Sequence, residues 1–298
     1  MLAIAMVLDA IFGEPRWLWS RIPHPAVVIG NAIALFDRKL NRGPRRFMGV
    51  ILVVILCLVS GVLGLAIEAL PGGGVLSIVL AAILLAQRSL AEHVRDVARA
   101  LRISLGDGRR AVAMIVGRDT DAMEVPDVAR SAIESAAENL SDGVVAPAFW
   151  FLIAGLPGIL IYKSVNTADS MVGYRTERYA AFGWASAKLD DVLNWVPARL
   201  TAILILIASL RFDLWSFVRR DAPLHRSPNA GWPEAAMAGV LGTSLSGPRS
   251  YHGERKDFPF VYPEGRKDLR PSDIDACVAM LWRSWAVLFG VAVLVAIA

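Results

Sequence analysis

Polar residues that could bind a cation or a substrate stand at both ends of one apolar stretch, ESAAENLSDGVVAPAFWFLIAGLPGILIYKSVNTADSM, at residues 134–171. Before the stretch, Glu138 and Asp142 are four residues apart, which places them on one face of a helix. After it come Asn166 and Asp169. Two carboxylate-bearing helix faces repel each other unless a cation, hydrogen bonds or a ligand lies between them. Such a pair suits Mg²⁺ or a substrate, although a solvated helix end followed by an N-cap also accounts for these residues.

Two further polar clusters have the same character. In KLDDVLNWVPARL, at residues 188–200, Asp190 and Asn194 share a helix face just before an apolar run. In HRSPNAGWPEAAMAG, at residues 225–239, a turn leads into a helix that starts near Glu234, and the positive N-terminus of a helix can hold an anion. Four clusters of this kind favour a functional site over four unrelated helix ends.

The apolar stretch contains GLPG at residues 155–158, which is a strong break signal. In one straight span, the polar groups on either side would lie on opposite faces of a membrane. If GLPG is instead the tip of a helical hairpin, Asp142 and Asp169 both lie about 20 Å from that tip, at 1.5 Å per residue. The hairpin therefore predicts that the two polar groups face each other.

The composition indicates whether these elements lie in water or in a membrane. The chain has 298 residues, is 55% hydrophobic with a mean hydropathy of +0.50, and is only 19% charged. These values are typical of a membrane protein. The net charge of +4 is small, so we expect no nucleic-acid partner. Cys57 and Cys277 suggest packing residues, and the four histidines have no metal-ligand spacing.

We therefore predict an all-α fold, a polytopic helical membrane protein with a broken or hairpin helix pair and a cytoplasmic helical cap. Its 298 residues are expected to form a single integral membrane domain. Basic segments flanking the apolar runs orient the cap toward the cytoplasm, while the side of the polar segment at 211–280 stays open. The polar cap covers about residues 88–142. The predicted apolar blocks are at about 1–12, 48–70, 75–87, 144–162, 200–210 and 285–298.

Several motifs resemble those of a known family. They follow the family's order over residues 8–255, and the match after residue 255 is loose. Glu14 stands where the family's GDP motif carries Asp. The matching stretches are LDAIFGEPRWLW, PHPAVVIG, IVGRDT, ESAAENLSDGVVAPAFWF, GLPGILIYKSVNTADSMVGY, FGWASAKLDDVLNWVPARLTA and HRSPNAGWPEAAMAGVLG. On these residues, the chain resembles the CobD/CbiB family of adenosylcobinamide-phosphate synthases, membrane enzymes of cobalamin biosynthesis.

The resemblance implies ATP-dependent amide formation between a propionate of adenosylcobyric acid and the amine of 1-aminopropan-2-ol or its phosphate. It also implies Mg²⁺, a location in the cytoplasmic membrane, and contact with the lipid bilayer and with other enzymes of the pathway. The carboxylate must be activated, plausibly as an acyl phosphate, and the amine must lose a proton. Because the chain has no GxxxxGKS/T motif, the residues that bind ATP are not derivable from the sequence.

The resemblance and the clusters together give candidate site residues. The catalytic candidates are Glu134, Glu138, Asp169, Asp190 and Asp191. The candidate Mg²⁺ ligands are Glu138, Asp142 and Asp169. The substrate-binding candidates are Arg118, Asn139, Lys163, Asn166, Ser170, Tyr174, Arg175, Asn194, Arg199, His225, Ser227, Asn229 and Glu234.

Two other functions fit part of the pattern. Polar clusters around a break in a membrane helix also suit a transporter, where broken helices bind the substrate at mid-depth. However, these clusters stand at the ends of apolar runs, and no inverted repeat is visible. A non-catalytic membrane scaffold for corrinoid enzymes is the third possibility, although a scaffold has little need for four acid-and-amide clusters.

Overall fold

The computed structural model describes residues 1–251 and 253–298, and almost all of its regular structure is helical. A π-helical turn at Ser141–Val145 and two 3₁₀ turns at Phe212–Leu214 and Ala222–Leu224 interrupt the helices. The α-helices are α1 Leu2–Phe12, α2 Arg16–Trp19, α3 Pro25–Leu40, α4 Arg45–Glu68, α5 Gly73–Leu84, α6 Gln87–Ile103, α7 Leu105–Ala113, α8 Val125–Leu140, α9 Ala146–Val172, α10 Trp184–Leu193, α11 Trp195–Ser209, α12 Trp215–Asp221, α13 Gly231–Leu241 and α14 Pro271–Ile297.

The short strands form two antiparallel pairs within the described residues. They are β1 Leu245–Ser246 with β4 Phe260–Val261, and β2 Arg249–Tyr251 with β3 Glu254–Lys256.

Four helical segments of the described chain are long and apolar enough to cross a membrane, namely Arg45–Glu68, Gly73–Ile103, Val125–Val172 and Pro271–Ile297. The pair α10 and α11 passes the same test but is bent by 44° at its break. These findings confirm the all-α membrane fold. The last span begins at Pro271, so it extends well into the segment at 211–280 that the sequence indicated as polar.

By its internal contacts the chain divides into two compact units, where the sequence suggested a single domain. The first unit contains Met1–Ala86 and Asp142–Trp195, and the second contains Gln87–Ser141 and Val196–Ala298. Each unit is therefore assembled from two separate segments of the chain.

In the first unit, α4 packs closely against α9. Gly64 leaves room for the other helix, because a Cβ atom there would lie only 2.6 Å from the Cα of Pro157. The hydroxyl groups of Ser60 and Ser164 are hydrogen-bonded at 2.8 Å. Small residues and serine hydroxyls of this kind hold helices together where lipid removes the hydrophobic driving force.

Helix α9 reverses direction at the predicted break. Gly155 has a φ of 61°, which favours glycine. Tyr162 reaches the backbone oxygen of Asp142 at 3.1 Å, although twenty residues of straight helix would separate them by about 30 Å. Glu68, at the end of α4, accepts the Leu156 N–H at 2.8 Å and so satisfies a donor that the break exposes. The predicted hairpin is confirmed, because the chain folds back at Gly155 and brings Tyr162 to Asp142.

In the second unit, α6 packs against α7, α8 and α14, and α13 packs against α8 and α12. The buried start of α14 is fixed by Asp273, whose side chain accepts the Arg270 N–H at 2.8 Å and binds Arg266 at 2.6 Å. Strand β1 lies beside α8. This arrangement brings residues from both segments of the unit to the side chains of α8.

Candidate functional site

The first unit carries a group that we call the aspartate cluster: Asp142, Asn166, Asp169, Asp190 and Asn194. Asp190, on α10, accepts the Asn166 side-chain amide at 3.2 Å and the Asn194 side-chain amide at 3.1 Å, one on each oxygen. Asp169 is near enough for its charge to act on Asp190. Two carboxylates are therefore held close together, and a cation between them would relieve their repulsion.

Tyr162 contacts two members of this cluster, although it was not among the site residues predicted from the sequence. Its buried hydroxyl lies 3.0 Å from Oδ1 of Asn194 and 3.1 Å from the backbone oxygen of Asp142, and it donates to these acceptors. The charges of Asp142 and Glu14 act on Lys163, the next residue along α9. In sequence, Tyr162 resembles one more apolar membrane residue, and only the hairpin reveals its partners.

Other candidates of the first unit lie at its surface. Ser170 and Arg175 are exposed, as is 58% of Tyr174. Asp191 is paired with Lys188 at 3.3 Å. The charge of Asp191 still acts on Asp190.

The second unit carries a group that we call the arginine–glutamate cluster: Arg118, Glu134, Glu138, His225, Arg226, Glu234 and Arg249. Glu134, on α8, is 1% exposed. One of its oxygens is paired with Arg118 and, at 3.3 Å, with Arg249, while the other accepts the Ser246 N–H at 2.7 Å. Glu134 therefore fixes two arginines in place and has little freedom to act as a base.

Glu138 differs from Glu134 because its side chain is exposed. The charges of Arg226, Arg118 and Arg249 all act on it. The guanidinium group of Arg226 also lies 5.5 Å from the centre of the Tyr251 ring. An exposed carboxylate among three arginines marks a place where an anion can approach guanidinium groups without leaving water entirely.

His225 and Glu234 form a buried pair, with Nε2 and Oε1 3.6 Å apart. The Ser227 N–H donates to Nδ1 at 3.1 Å, so a neutral imidazole carries its proton on Nε2, facing Glu234. Burial, followed by the charges of Arg249 and Arg226, lowers the pKa of His225 to about 4. Burial, followed by the charges of Glu134 and Glu138, raises the pKa of Glu234 well above its ordinary value.

The remaining candidates of the second unit are Asn139, Arg199, Ser227 and Asn229. Arg199 donates to Oδ1 of Asn229 at 3.3 Å and stacks over Trp232 at 4.6 Å. The Ser227 hydroxyl accepts the Asn229 N–H at 3.2 Å, which closes the turn before α13. Asn139 is exposed and donates to the backbone oxygen of Ser135 at 2.9 Å.

The proposed Mg²⁺ ligands are divided between the two units. Glu138 belongs to the second unit, whereas Asp142 and Asp169 belong to the first. Within the part of the chain that the structure describes, no three His, Cys, Asp or Glu side chains are arranged to hold a metal ion. Two arginines, Arg226 and Arg249, were missed from the sequence. Arg226 stands inside the HRSPNAG motif, but nothing local marks Arg249.

Comparison with known proteins shows the family of the chain. A model of the CobD/CbiB protein family matches residues 2–281. The chain belongs to the CobD/CbiB family. It is 49% identical to a cobalamin biosynthesis protein CobD of a Sinorhizobium species, over 97% of this chain and 95% of that protein. The corresponding protein of Brucella anthropi is 46% identical over 98% and 95%, and that of Rhodobacter capsulatus is 46% identical over 96% and 93%. No solved structure matches. The chain is thus a membrane protein of a cobalamin-biosynthesis family.

Proposed function

We propose that the chain is an ATP-dependent amide ligase of the cell membrane that joins adenosylcobyric acid to 1-aminopropan-2-ol or its phosphate. The observation that carries this proposal is the arginine–glutamate cluster, in which two arginines are held rigidly and a third is exposed. Membership of a cobalamin-biosynthesis family supports the choice of substrates. The two clusters suit different parts of the reaction.

The arginine–glutamate cluster is suited to phosphate groups. Guanidinium groups bind phosphate oxygens in a bidentate manner and stay charged at every physiological pH. The ion pairs of Glu134 fix Arg118 and Arg249, so their orientation costs little when a ligand arrives. The exposed Arg226 completes the set. We assign the ATP phosphates to this cluster.

The aspartate cluster is suited to the amine. An ammonium group placed by Asp169 and Asp190 would relieve the repulsion between the two carboxylates. Asp190 is held by two amides, while Asp169 stands beside it on another helix. The amine must lose a proton before its nitrogen attacks the activated carboxyl carbon. We assign this proton transfer to Asp169, and the orientation of the amine to Asp190 with Asn166 and Asn194.

Mg²⁺ fits these residues only as an ion carried by the nucleotide. The described residues offer no three-ligand protein site, but Mg²⁺ commonly uses one or two carboxylates and completes its shell with phosphates and water. The exposed Glu138 is the carboxylate available beside the arginines. When bound, Mg²⁺ with ATP supplies the activation of the propionate carboxylate.

The test uses detergent-purified protein with adenosylcobyric acid, aminopropanol phosphate, ATP and Mg²⁺, and follows the amide product by mass. We expect product only when ATP is present. Asp169→Asn should lower kcat by about 10²-fold or more, because general-base catalysis is typically worth that much. Arg226→Gln should weaken ATP binding by roughly 10- to 100-fold. Arg219→Gln, an exposed arginine on α12, is the control. Corrinoid binding without any product would refute the ligase and favour the scaffold.

Transport is disfavoured by a contact at the break in α9. A transporter uses the exposed N–H groups of a broken helix to bind its substrate. Here the Glu68 carboxylate already accepts the Leu156 N–H. A proteoliposome assay that showed corrinoid flux without ATP-dependent amide formation would reverse this conclusion.

A further inference from the structure

The second unit contains a cavity of about 320 Å³ whose lining includes no residue of the two clusters and combines charged and apolar side chains. Arg211 and Arg283 contribute its charged part, and Val240, Leu241, Ala279 and Met280 contribute apolar walls. Small-molecule sites usually have volumes of about 300–1,000 Å³ and combine apolar walls with a few polar groups. The cavity therefore suits a ligand with an anionic end and an apolar end.

Both arginines stand where an apolar run meets polar chain. Arg211 follows the end of α11 at Ser209. Arg283 precedes the uncharged run AVLFGVAVLVAIA at residues 286–298 of α14. Leu294 is 63% exposed in that run, as a lipid-facing side chain would be. The cavity brings the two chain positions together, so both mark one level of the membrane boundary.

Aromatic residues on α14 indicate the same level. Trp282 and Trp285 flank Arg283, with ring centres 5.7 Å apart, and Trp285 stacks on Phe289 at 5.3 Å. Tryptophan is enriched where lipid headgroups meet the hydrocarbon core. An arginine flanked by two tryptophans in this way suits the depth of lipid phosphates.

Among the described residues, only one of the two arginine charges at this level is balanced by an acid. Arg211 is bound by both oxygens of Asp213, at 2.9 and 2.8 Å. Arg283 is exposed and has no acidic partner among residues 1–251 and 253–298. A charged side chain within a candidate span is costly unless it meets an opposite charge, and basic pockets between membrane helices bind anionic headgroups.

We propose that this cavity binds an anionic phospholipid. Its phosphate would lie at Arg283, while Arg211, which is already paired with Asp213, lines the same cavity. The first part of an acyl chain would lie along Val240, Leu241 and Met280, and the rest would continue into the bilayer. A lipid fits better than a soluble phosphate because most of the lining residues are apolar and both arginines stand where an apolar run meets polar chain.

The experiment is native mass spectrometry of the intact protein in detergent, titrated separately with phosphatidylglycerol, with phosphatidylcholine and with inorganic phosphate. We expect phosphatidylglycerol to bind with the highest affinity. Arg283→Gln should weaken that binding by roughly 10- to 100-fold, as expected for the loss of a charged hydrogen-bonding partner. Ala279→Phe should also weaken it, because the added ring fills the place of the acyl chain. Arg219→Gln, an exposed arginine outside the cavity, should leave it unchanged.

Three results would overturn the proposal. Equal binding of phosphatidylcholine would show that the site does not select negative charge. Equal binding of inorganic phosphate, unaffected by Ala279→Phe, would show that no acyl chain is held. Unchanged binding of phosphatidylglycerol to Arg283→Gln would place the lipid elsewhere. Because the readout is lipid binding, none of these results depends on ligase activity.

Discussion

Replacing Glu134 with Gln should destabilise the second unit strongly. The substitution keeps the volume of the side chain but removes the carboxylate that is ion-paired with both Arg118 and Arg249. The side chains of these arginines are only 11% and 9% exposed, so water cannot replace the lost partner. Breaking a buried ion pair from one side typically costs about 3–5 kcal/mol. We expect the free energy of unfolding to fall by an amount in that range. The Ser246 N–H keeps an acceptor, because the amide oxygen of the Gln side chain replaces the carboxylate oxygen.

The assay is denaturant unfolding of the purified protein in detergent, followed by the fluorescence of its nine tryptophans. Asp96→Asn is the control, because Asp96 and its partner Arg99 are 56% and 67% exposed. Exposed pairs contribute only about 0–1 kcal/mol. Arg249→Gln combined with Glu134→Gln should cost less than the sum of the two single changes. If Glu134→Gln is no less stable than Asp96→Asn, the ion-pair argument is wrong.

Three further predictions concern other contacts. Glu68→Ala should lower the free energy of unfolding by about 1–3 kcal/mol, because the Leu156 N–H loses its acceptor. Amide hydrogen exchange should rise at the tip of the hairpin in this variant, while Glu68→Gln should stay near wild type. Gly64→Ala should cost about 1–3 kcal/mol by overpacking, whereas Gly290→Ala, with open space around it, should be neutral in the same unfolding assay. The lowered pKa of His225 means that the unfolded chain binds a proton first as the pH falls, so the contribution of His225 to stability should decrease from about pH 6.5 to about pH 4. His225→Gln should remove that part of the pH dependence, and a slope that persists in this variant would contradict its assignment.

Local patterns in the sequence predicted much of the fold. The apolar runs predicted the membrane helices. The GLPG motif predicted the hairpin, because glycine and proline change the backbone conformation at their own positions. The helical spacing of acids and amides predicted that Asp190 and Asn194 share a helix face, and their side chains share a hydrogen bond, whereas the spacing did not predict the contact of Asn166 with Asp190.

Local sequence patterns did not predict the contacts between distant segments of the chain. Arg249 lies in a three-residue strand without any local signal, yet it meets Glu134 on α8. Glu68 lies at a helix end without any local motif, yet its carboxylate accepts the Leu156 N–H at the tip of the hairpin. The start of α14 was missed because the amphipathic residues 271–284 dilute the apolar signal that marks a membrane span. Each of these features depends on tertiary packing.

The division of each unit into two chain segments also bears on how the protein is made. Ser60 and Gly64 of α4 leave the ribosome about a hundred residues before their partners Ser164 and Pro157 on α9. At roughly 5–20 residues per second, α4 waits about 5–20 s in the membrane with a helix-binding face uncovered. During this interval α4 can pair with whatever other helix is nearby, so the speed of translation between residues 64 and 157 influences how much of the chain folds correctly.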